Sequence, residues 1–245
     1  MCKVEKYWKK RAEKYNSLEW VHNNSYMNNF CKVADLNSNH LILDIGSGTG
    51  AVANHVKKYV KEVFALDISY DMLKNGFWKD ISLIHWDIRK KIFYKNIFDR
   101  ITARMVFHHI LKNQNKAIKN CYDCLKKTGK IIISEGIPPS ISDLVVNWYS
   151  EMFSYKEDRL IFLPGDLEKK LTKVGFLNVK SFLFSMPNFN INNWINNSGL
   201  SKNKINKIIK MHIEAPEEVK QAYNMKISKN NILINSQYLV IVGEK

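Results

Sequence analysis

The sequence predicts an α/β fold in which helices cover both faces of a mostly parallel sheet. Three observations support this prediction. Short apolar runs alternate with helical segments through the first half of the chain, a glycine-rich segment joins the first run to the next helix, and acidic residues end successive runs. Strands that alternate with helices in this way are typical of a doubly wound fold.

The predicted strands are apolar runs bounded by turn residues. They comprise His40–Ile45, Glu62–Leu66, Ile81–Trp86, Phe98–Phe107, Lys130–Ser134, Phe176–Phe184 and Gln237–Val242. The predicted helices comprise Ala51–Tyr59, Tyr70–Phe77, Gln114–Lys127, Ser140–Phe153, Pro164–Lys173, Lys202–His212 and Pro216–Tyr223. We expect Ser69 to cap the helix that follows it, and Gly129 to close the helix before it.

The composition argues against disordered and membrane-spanning classes. The 245 residues are 45% hydrophobic and 25% charged, which suits a domain with a substantial core. No apolar run reaches the roughly 18 residues of a membrane helix, so we expect a cytoplasmic protein. The net charge of +15 would suit nucleic acid or an anionic small substrate, but the lysines are spread along the chain, which favours generic surface charge.

The four cysteines are too few for a disulfide framework at this length. Cys121 and Cys124 form a CxxC pair, but neither a second pair nor a nearby histidine pair accompanies them. We therefore expect reduced structural thiols and no metal site.

The glycine-rich segment after the first strand is the first candidate for ligand binding. Gly46, Gly48 and Gly50 lack Cβ atoms, so a ligand can approach the backbone around Ser47. Gly46, Gly48 and Ala51 also fit the G-x-G-x-x-G/A pattern of dinucleotide-binding proteins. Asp44 argues against that alternative, because its carboxylate would repel a pyrophosphate but attract the ammonium group of an amino acid.

Two further acids follow the second and third strands. Asp67 lies about 20 residues past the glycines, where a carboxylate can accept hydrogen bonds from both ribose hydroxyls. The alternative role is a helix cap, which Ser69 can supply itself. Asp87 could accept a hydrogen bond from an adenine amino group or simply end its strand. The apolar neighbours that could sandwich a purine, or belong to the core, are Ile68, Met72 and Ile88.

Five segments in this order resemble the small-molecule branch of the class I S-adenosylmethionine-dependent methyltransferases. They are LILDIGSGTG (41–50), VFALDISYDML (63–73), LIHWDIR (83–89), FDRITARMVFHHI (98–110) and CLKKTGKIIISEG (124–136). The resemblance implies a Rossmann-like sheet of seven mostly parallel strands with one antiparallel strand. It also implies S-adenosyl-L-methionine as cofactor and S-adenosyl-L-homocysteine as product. One departure from the family pattern is a Lys-Thr-Gly turn, ending at Gly129, in place of the usual Pro-Gly-Gly. Gly129 can still adopt a positive φ, so we expect the turn to be kept.

The resemblance also implies where the cofactor lies. The glycine segment and Asp44 would face its methionine part, and Arg104 would lie near the methionine carboxylate. Asp67 would hold the ribose, and Asp87 with Ile88 the adenine. The complete set of predicted cofactor-binding residues is Asp44, Gly46, Ser47, Gly48, Gly50, Asp67, Ile68, Met72, Asp87, Ile88 and Arg104.

Candidate residues for the methyl acceptor lie at the ends of the fourth and fifth predicted strands and outside the five segments. His109 is predicted as a general base and His212 as the alternative, although either could be structural. Glu135 either faces the cleft mouth or serves the turn after its strand. Arginine is scarce here and binds carboxylate or phosphate bidentately, although Arg159 could equally pair with neighbouring acids. The predicted substrate-binding residues are Arg11, Tyr15, His108 and Arg159.

The chain is predicted to form one domain, residues 1–245. It divides into an N-terminal helical part (1–36), a cofactor-binding core (37–136), a C-terminal part of the sheet (137–186 and 228–245) and a helical insertion before the last strand (187–227). We expect the N-terminal part and the insertion to close over the cofactor without joining the core of the sheet.

The predicted function is methyl transfer to a small anionic or hydroxylated metabolite. An oxygen acceptor is favoured, for example on an activated sugar or a phosphorylated precursor, and no nucleic-acid partner or membrane span is expected. The alternative is an RNA-directed methyltransferase. Against it, the fourth strand ends in ARMVFHH (103–109), where base-amino methyltransferases usually carry Asp/Asn-Pro-Pro-aromatic.

Overall fold

The structure, a computed structural model, describes residues 3–91, 95–229 and 231–245. The strands are β1 (Leu41–Ile45), β2 (Glu62–Asp67), β3 (Ser82–His85), β4 (Phe98–Arg104), β5 (Leu125–Ile137), β6 (Leu177–Asn190), β7 (Lys226–Ile227) and β8 (Ile232–Glu244). The α-helices are α1 (Lys3–Tyr15), α2 (Asn24–Ala34), α3 (Ala51–Val56), α4 (Tyr70–Lys74), α5 (Gln114–Cys124), α6 (Asp143–Lys156), α7 (Asp166–Val174), α8 (Ile191–Asn196), α9 (Lys202–Ile213) and α10 (Glu217–Ala222). Among the described helices, none is both long and apolar enough to cross a bilayer.

The strands form one sheet in the order β3-β2-β1-β4-β5-β8-β6. Strands β1 to β5 pair in parallel, and β8 runs antiparallel to both β5 and β6. This confirms the predicted mostly parallel α/β sheet with one reversed strand. The described sheet has eight strands instead of seven, because the two-residue β7 pairs with the start of β8.

Parallel pairing brings the carboxyl ends of β1, β2, β4 and β5 to one edge of the sheet. Asp44 pairs in register with Thr102, Asp67 with His85, and Arg104 with Ser134. The polar residues that follow these strands therefore gather at a single edge, as ligand sites of open α/β sheets do.

Two apolar cores cover the two faces of the sheet. Successive residues of β5 alternate between them, because side chains of a strand point to opposite faces. Ile132 packs with the core that includes Phe30 of α2, whereas Ile131 and Ile133 pack with the core that includes Ile118 of α5. Cys121 and Cys124 are free and buried in the second core, which agrees with the predicted structural thiols. Cys2 lies outside the described residues.

Two predicted boundaries are wrong for identifiable reasons. Strand β4 ends at Arg104 because Met105 takes a left-handed φ of 58°, and Phe107–His109 then form a 3₁₀ turn. Helix α5 ends at Cys124 and β5 begins directly at Leu125. Gly129 therefore lies within β5, without a positive φ, and closes no helix.

The insertion packs into the core, contrary to expectation. Ile195, Ile208, Val219 and Tyr223 are buried in the same apolar cluster as Trp148 of α6. Helices α8 to α10 thus stabilise the C-terminal half of the sheet as well as covering its edge. The finer division of the chain into parts stays a prediction.

Candidate active site: two adjoining cavities

Two cavities adjoin at the carboxyl edge of the sheet. The first, the glycine-loop cavity, lies against Gly46, Gly48 and Asp67, and the second, the cationic cavity, lies against Arg11 and Arg159. The empty space within them, part of which is open to solvent, is about 750 and 790 Å³. Four residues line both: Trp8, Tyr15, Met105 and His109. Two ligands could therefore meet at these four side chains.

Two glycines, which have no side chain, form part of the wall of the glycine-loop cavity. Gly46 and Gly48 have φ of +62° and +60°, which disfavours any residue with a Cβ. A Cβ on Gly46 would also collide with Val106, and one on Gly48 would come within 3.1 Å of Met72 Cε. The loop is therefore shaped for close approach of a ligand to its backbone.

Asp67 closes the other side of this cavity. Its carboxylate accepts hydrogen bonds from the Gly48 amide (2.8 Å) and the Ser69 amide (2.7 Å), and burial raises its pKa. Ser69 caps α4 with its own hydroxyl, which accepts from the Met72 amide (3.3 Å). Each carboxylate oxygen has a further lone pair. Asp67 can therefore also accept hydrogen bonds from a ligand in the cavity.

Three predicted cofactor contacts, Asp44, Ser47 and Gly50, do not line the cavity. Asp44 is buried behind the loop, where it accepts hydrogen bonds from Ser47 Oγ (2.7 Å) and Thr102 Oγ1 (2.8 Å), and burial raises its pKa to about 6. Gly50 begins α3 with a φ of +92°. The correction is that these residues shape the loop and do not form its wall.

The remaining predicted cofactor residues all line the glycine-loop cavity: Gly46, Gly48, Asp67, Ile68, Met72, Asp87, Ile88 and Arg104. Arg89 holds Asp87, with Nε 2.9 Å from Oδ1 and Nη2 2.8 Å from Oδ2. The guanidinium of Arg104 donates to the Val21 carbonyl (3.0 Å) and lies over the Trp20 ring at 5.2 Å.

The cationic cavity is built around Glu157, at the end of α6. Oε2 of Glu157 accepts from Arg11 Nη1 (2.8 Å), from Lys156 Nζ (2.6 Å) and from the Tyr7 hydroxyl. Arg159 Nη1 lies 3.7 Å from Oε1. We call four residues, whose side chains are each at most 8% exposed, the Glu157 cluster: Arg11, Lys156, Glu157 and Arg159. The sequence analysis predicts Arg11 and Arg159 as substrate residues but misses Lys156.

The Glu157 cluster carries more positive than negative charge. Burial opposes ionisation of Glu157, but Lys156, the neighbouring histidines and Arg11 outweigh it and hold its pKa well below the usual range. Burial lowers the pKa of Lys156 to about 7. Nη2 of Arg11 and Nη2 of Arg159 are buried and have no hydrogen-bond partner among the described residues. Buried donors of this kind normally have partners, so the cluster is suited to an anionic ligand.

A metal ion fits this arrangement poorly. Three potential metal-ligand atoms, one each from His108, His109 and Glu157, lie within 4.8 Å of one another. Glu157 is already engaged by Tyr7 and three cations, however, and a divalent cation would face their repulsion. The charge of the cluster therefore favours an anion.

His108 and His109 stand in the 3₁₀ turn between the two cavities. The His108 ring lines the cationic cavity only, and its Nδ1 lies 2.5 Å from Glu135 Oε2. His109 lines both cavities and meets the Trp8 ring edge-on at 4.9 Å. Burial lowers the pKa of both histidines well below the usual value.

His212, the alternative base predicted from the sequence, lines neither cavity. It is buried in α9, where Nδ1 donates to the Ile208 carbonyl (2.7 Å) and the ring packs on Trp148 at 5.0 Å. Burial lowers its pKa to about 4. The structure does not bring His212 to the candidate site, because the insertion turns this side chain into the core.

Comparison with known proteins finds similarity to methyltransferases. Residues 43–133 match the model of a methyltransferase domain. The phosphoethanolamine N-methyltransferase of Plasmodium falciparum is 31% identical over 157 residues, which cover 60% of this chain and 57% of that protein. The demethylmenaquinone methyltransferase of Thermotoga maritima is 31% identical over 113 residues, covering 44% and 49%. The chain thus spans about half the length of these curated relatives.

The chain therefore carries a methyltransferase domain over residues 43–133. Solved structures of low sequence identity agree on the fold. The YcgJ protein of Bacillus subtilis has a TM-score of 0.79 at 19% identity, covering 91% of this chain and 99% of that one. Phosphoethanolamine N-methyltransferase 2 of Haemonchus contortus, in complex with phosphomonomethylethanolamine and S-adenosylhomocysteine, has a TM-score of 0.65 at 16% identity, covering 94% and 56%.

S-adenosyl-L-methionine is the cofactor that the similarity to methyltransferases implies, and the glycine-loop cavity fits it. The missing Cβ atoms of Gly46 and Gly48 let a ligand approach the backbone, Asp67 offers carboxylate lone pairs, and Arg104 offers a cation for the methionine carboxylate. The cationic cavity adjoins at Trp8, Tyr15, Met105 and His109, where a methyl group could pass between ligands.

Proposed function

We propose that the protein transfers a methyl group from S-adenosylmethionine to a small phosphorylated amine bound in the cationic cavity. The observation that carries this proposal is the Glu157 cluster. It places Arg11, Lys156 and Arg159, two of them with bare Nη2 donors, in a cavity that adjoins the glycine-loop cavity.

The charge of the cluster supports a phosphate monoester over a carboxylate. The two arginines are permanently protonated, so with Lys156 protonated and Glu157 ionised the cluster has two uncompensated positive charges. A phosphate monoester carries close to two negative charges near neutral pH and has three acceptor oxygens. A carboxylate would neutralise only one charge. The Plasmodium falciparum relative is named for phosphoethanolamine, which has this charge pattern.

The rest of the cavity wall supports an amine as the methyl acceptor. Beyond the cations, it is lined by the buried tyrosines Tyr149, Tyr223 and Tyr238, with Tyr15 at the junction. Burial raises the pKa of all four phenols, so they stay neutral. Neutral phenol oxygens and aromatic faces can accept an ammonium group, which the arginine side of the cavity would repel.

The two cavities supply alignment, which is the main requirement of this reaction. The methyl group leaves sulfur in line with the attacking lone pair, so the two ligands must be held in contact and in register. Fixing both reactants in this way can lower the barrier by about 7–11 kcal/mol. The side chains of Trp8, Tyr15 and Met105 also exclude water from the point of transfer.

Transfer of labelled methyl groups from S-adenosylmethionine tests the proposal. We expect phosphoethanolamine to be methylated and ethanolamine, which lacks the phosphate, to react at least about 100-fold less efficiently, because charged hydrogen bonds contribute about 1.5–3 kcal/mol each. Arg11→Met should raise KM for phosphoethanolamine about 10–100-fold. Lys10→Met, on the exposed side of the same helix, is the matched control. Equal turnover of both amines, or an unchanged KM in Arg11→Met, would contradict the proposal.

The oxygen acceptor favoured by the sequence stays a prediction. A phosphorylated sugar in the same assay tests it, because such a compound offers the phosphate to the Glu157 cluster but only hydroxyl groups to the cofactor. We expect its methylation to be slower than that of phosphoethanolamine.

A further inference from the structure

We propose that Glu135 and His108 form a carboxylate–histidine dyad in which Nε2 of His108 is the general base for the methyl acceptor. The inference rests on the proposed function, because it places the acceptor in the cationic cavity. It assigns the base to His108, whereas the sequence favours His109.

The hydrogen bonds of Glu135 determine which nitrogen of His108 carries a proton. Glu135 is fully buried, and its Oε1 accepts from the backbone amides of Val106 (3.0 Å), Phe107 (2.6 Å) and His108 (3.3 Å). Amides can only donate, so they favour the ionised carboxylate. The ionised Oε2 then accepts a proton from His108 Nδ1, 2.5 Å away. His108 Nε2 is left unprotonated, with a lone pair available to a ligand.

The same hydrogen bonds fix the position of the base. The 3₁₀ turn is held from further sides, because Gln114 Nε2 donates to the Phe107 carbonyl and the Leu160 amide donates to the His108 carbonyl, both at 2.9 Å. Val106 of the same segment packs against Gly46 of the cofactor loop. Glu135 therefore sets the distance between the cofactor loop and His108.

His109 is placed for a different role. It lies at the junction of the cavities, against Trp8 and Tyr7. Among the described residues, no carboxylate hydrogen-bonds its ring, so nothing comparable fixes its tautomer. Its position suits a wall residue beside the methyl group. His108 lines the cationic cavity only, with its ring centroid 4.0 Å from that of His109, so it lies on the side where the acceptor is placed.

The surrounding charges keep His108 neutral, so its Nε2 lone pair is not already protonated. It is faced by Arg159, Lys156 and Glu157 from the end of α6, by Arg11 from α1, by Glu135 from β5 and by its neighbour His109. Burial and the cations hold its pKa well below the usual value. When the ring gains a proton in the reaction, the Glu135 carboxylate offsets the new charge.

The step balances in atoms and electrons. The acceptor ammonium gives one proton to His108 Nε2, and the nitrogen lone pair released then attacks the methyl carbon. The carbon–sulfur bond breaks with its electron pair going to sulfur, which leaves a neutral thioether and a methylated ammonium. The imidazolium returns its proton to water.

The tautomer of His108 can be measured without any acceptor. In protein labelled with ¹⁵N-histidine and saturated with S-adenosylhomocysteine, long-range ¹H–¹⁵N correlation should show His108 protonated at Nδ1, with its signal assigned by its loss in His108→Gln. Glu135→Gln should move that proton to Nε2, because the amide nitrogen donates to Nδ1. A wild-type His108 protonated at Nε2 would overturn the proposal.

Kinetics with phosphoethanolamine provide the second test. His108→Gln and Glu135→Gln should each lower kcat by about 10²–10⁴-fold, with the affinity for S-adenosylhomocysteine unchanged within about twofold. Their controls are His40→Gln and Glu151→Gln, whose side chains lie outside both cavities.

Below about pH 7 the wild-type kcat should fall. Burial raises the pKa of Glu135 to about 7, and protonation of this carboxylate removes the acceptor of the His108 Nδ1 proton.

Two outcomes separate this proposal from the proposed function. If wild-type protein methylates none of the acceptors, the proposed function fails, while the tautomer measurement still decides whether the dyad exists. If phosphoethanolamine is methylated but His109→Gln loses more turnover than His108→Gln, the base is His109 and the dyad proposal is wrong. Should Glu135→Gln fail to fold, His108→Gln carries the kinetic test.

Discussion

At the scale of single residues, Lys156 makes acceptor affinity depend on pH. Burial lowers its pKa to about 7, so the ammonium is charged below that pH and neutral above it. A phosphate dianion binds better to the charged form. We therefore expect KM for phosphoethanolamine to rise up to about tenfold between pH 7 and 8.5, from steady-state kinetics. Lys156→Arg, which stays charged, should flatten this rise, and a flat wild-type profile would contradict it.

Asp67 should matter for cofactor affinity and little for folding. Asp67→Asn removes a charged acceptor facing the glycine-loop cavity, so binding of S-adenosylhomocysteine should weaken by about 1.5–3 kcal/mol in calorimetry. Asp80→Asn is the control, because Asp80 is exposed and its φ of 54° is tolerated by asparagine. Unchanged affinity in Asp67→Asn would show that the carboxylate serves only the loop amides.

The two sides of the site differ in how much the sequence reveals. Asp67 and Asp87 follow strands in a local motif, so their common edge is predictable from periodicity alone. Lys156 and Glu157 lie at the end of α6 without a recognisable motif, and only the fold brings Arg11 of α1 beside them. The charge run KEDR (156–159) at the end of this helix is the signal that could have indicated them. His212 misleads because its burial depends on how the insertion packs, which the sequence alone does not show.

At the scale of elements, the cofactor loop and the turn after β4 are packed as a unit. Gly46→Ala should destabilise the fold, because φ of +62° costs a residue with a Cβ about 1–2 kcal/mol and the methyl group meets Val106. The contact of the added methyl group with Val106 should lower the free energy of unfolding by about a further 1–3 kcal/mol. Adding Val106→Ala to the Gly46→Ala protein should restore only this second loss, as measured by denaturant unfolding. If the effects of the two substitutions on the free energy of unfolding simply add, the loop and the turn do not touch.

The end of β4 shows that hydrophobic periodicity alone does not predict where a strand stops. The apolar run of β4 continues through Val106 and Phe107, so periodicity extends the strand to Phe107. The chain leaves the sheet earlier because Met105 adopts a left-handed conformation, with its amide bonded to the Ser134 carbonyl (2.8 Å). A backbone conformation of this kind in a non-glycine residue leaves no trace in hydrophobicity, and it is the feature that creates the turn carrying His108.

At the scale of the whole molecule, the parallel sheet covered on both faces follows from the alternation of strands and helices. The role of the net charge of +15 does not follow in the same way. If that charge is generic, binding to duplex or single-stranded nucleic acid should be weak and should fall steeply between 50 and 200 mM salt in fluorescence titrations. Methylation of total RNA at physiological salt, at a rate comparable to that of phosphoethanolamine, would contradict the small-molecule assignment.

The central claim is that two adjoining cavities hold the methyl donor and a phosphorylated acceptor. A crystal structure of the protein with S-adenosylhomocysteine and phosphoethanolamine tests it most directly. It should show the homocysteine and ribose against Gly46, Gly48 and Asp67, and phosphate oxygens on Nη2 of Arg11 and Arg159, with the amine turned toward the cofactor sulfur. A phosphate bound elsewhere, with both Nη2 atoms still unpaired, would contradict the account.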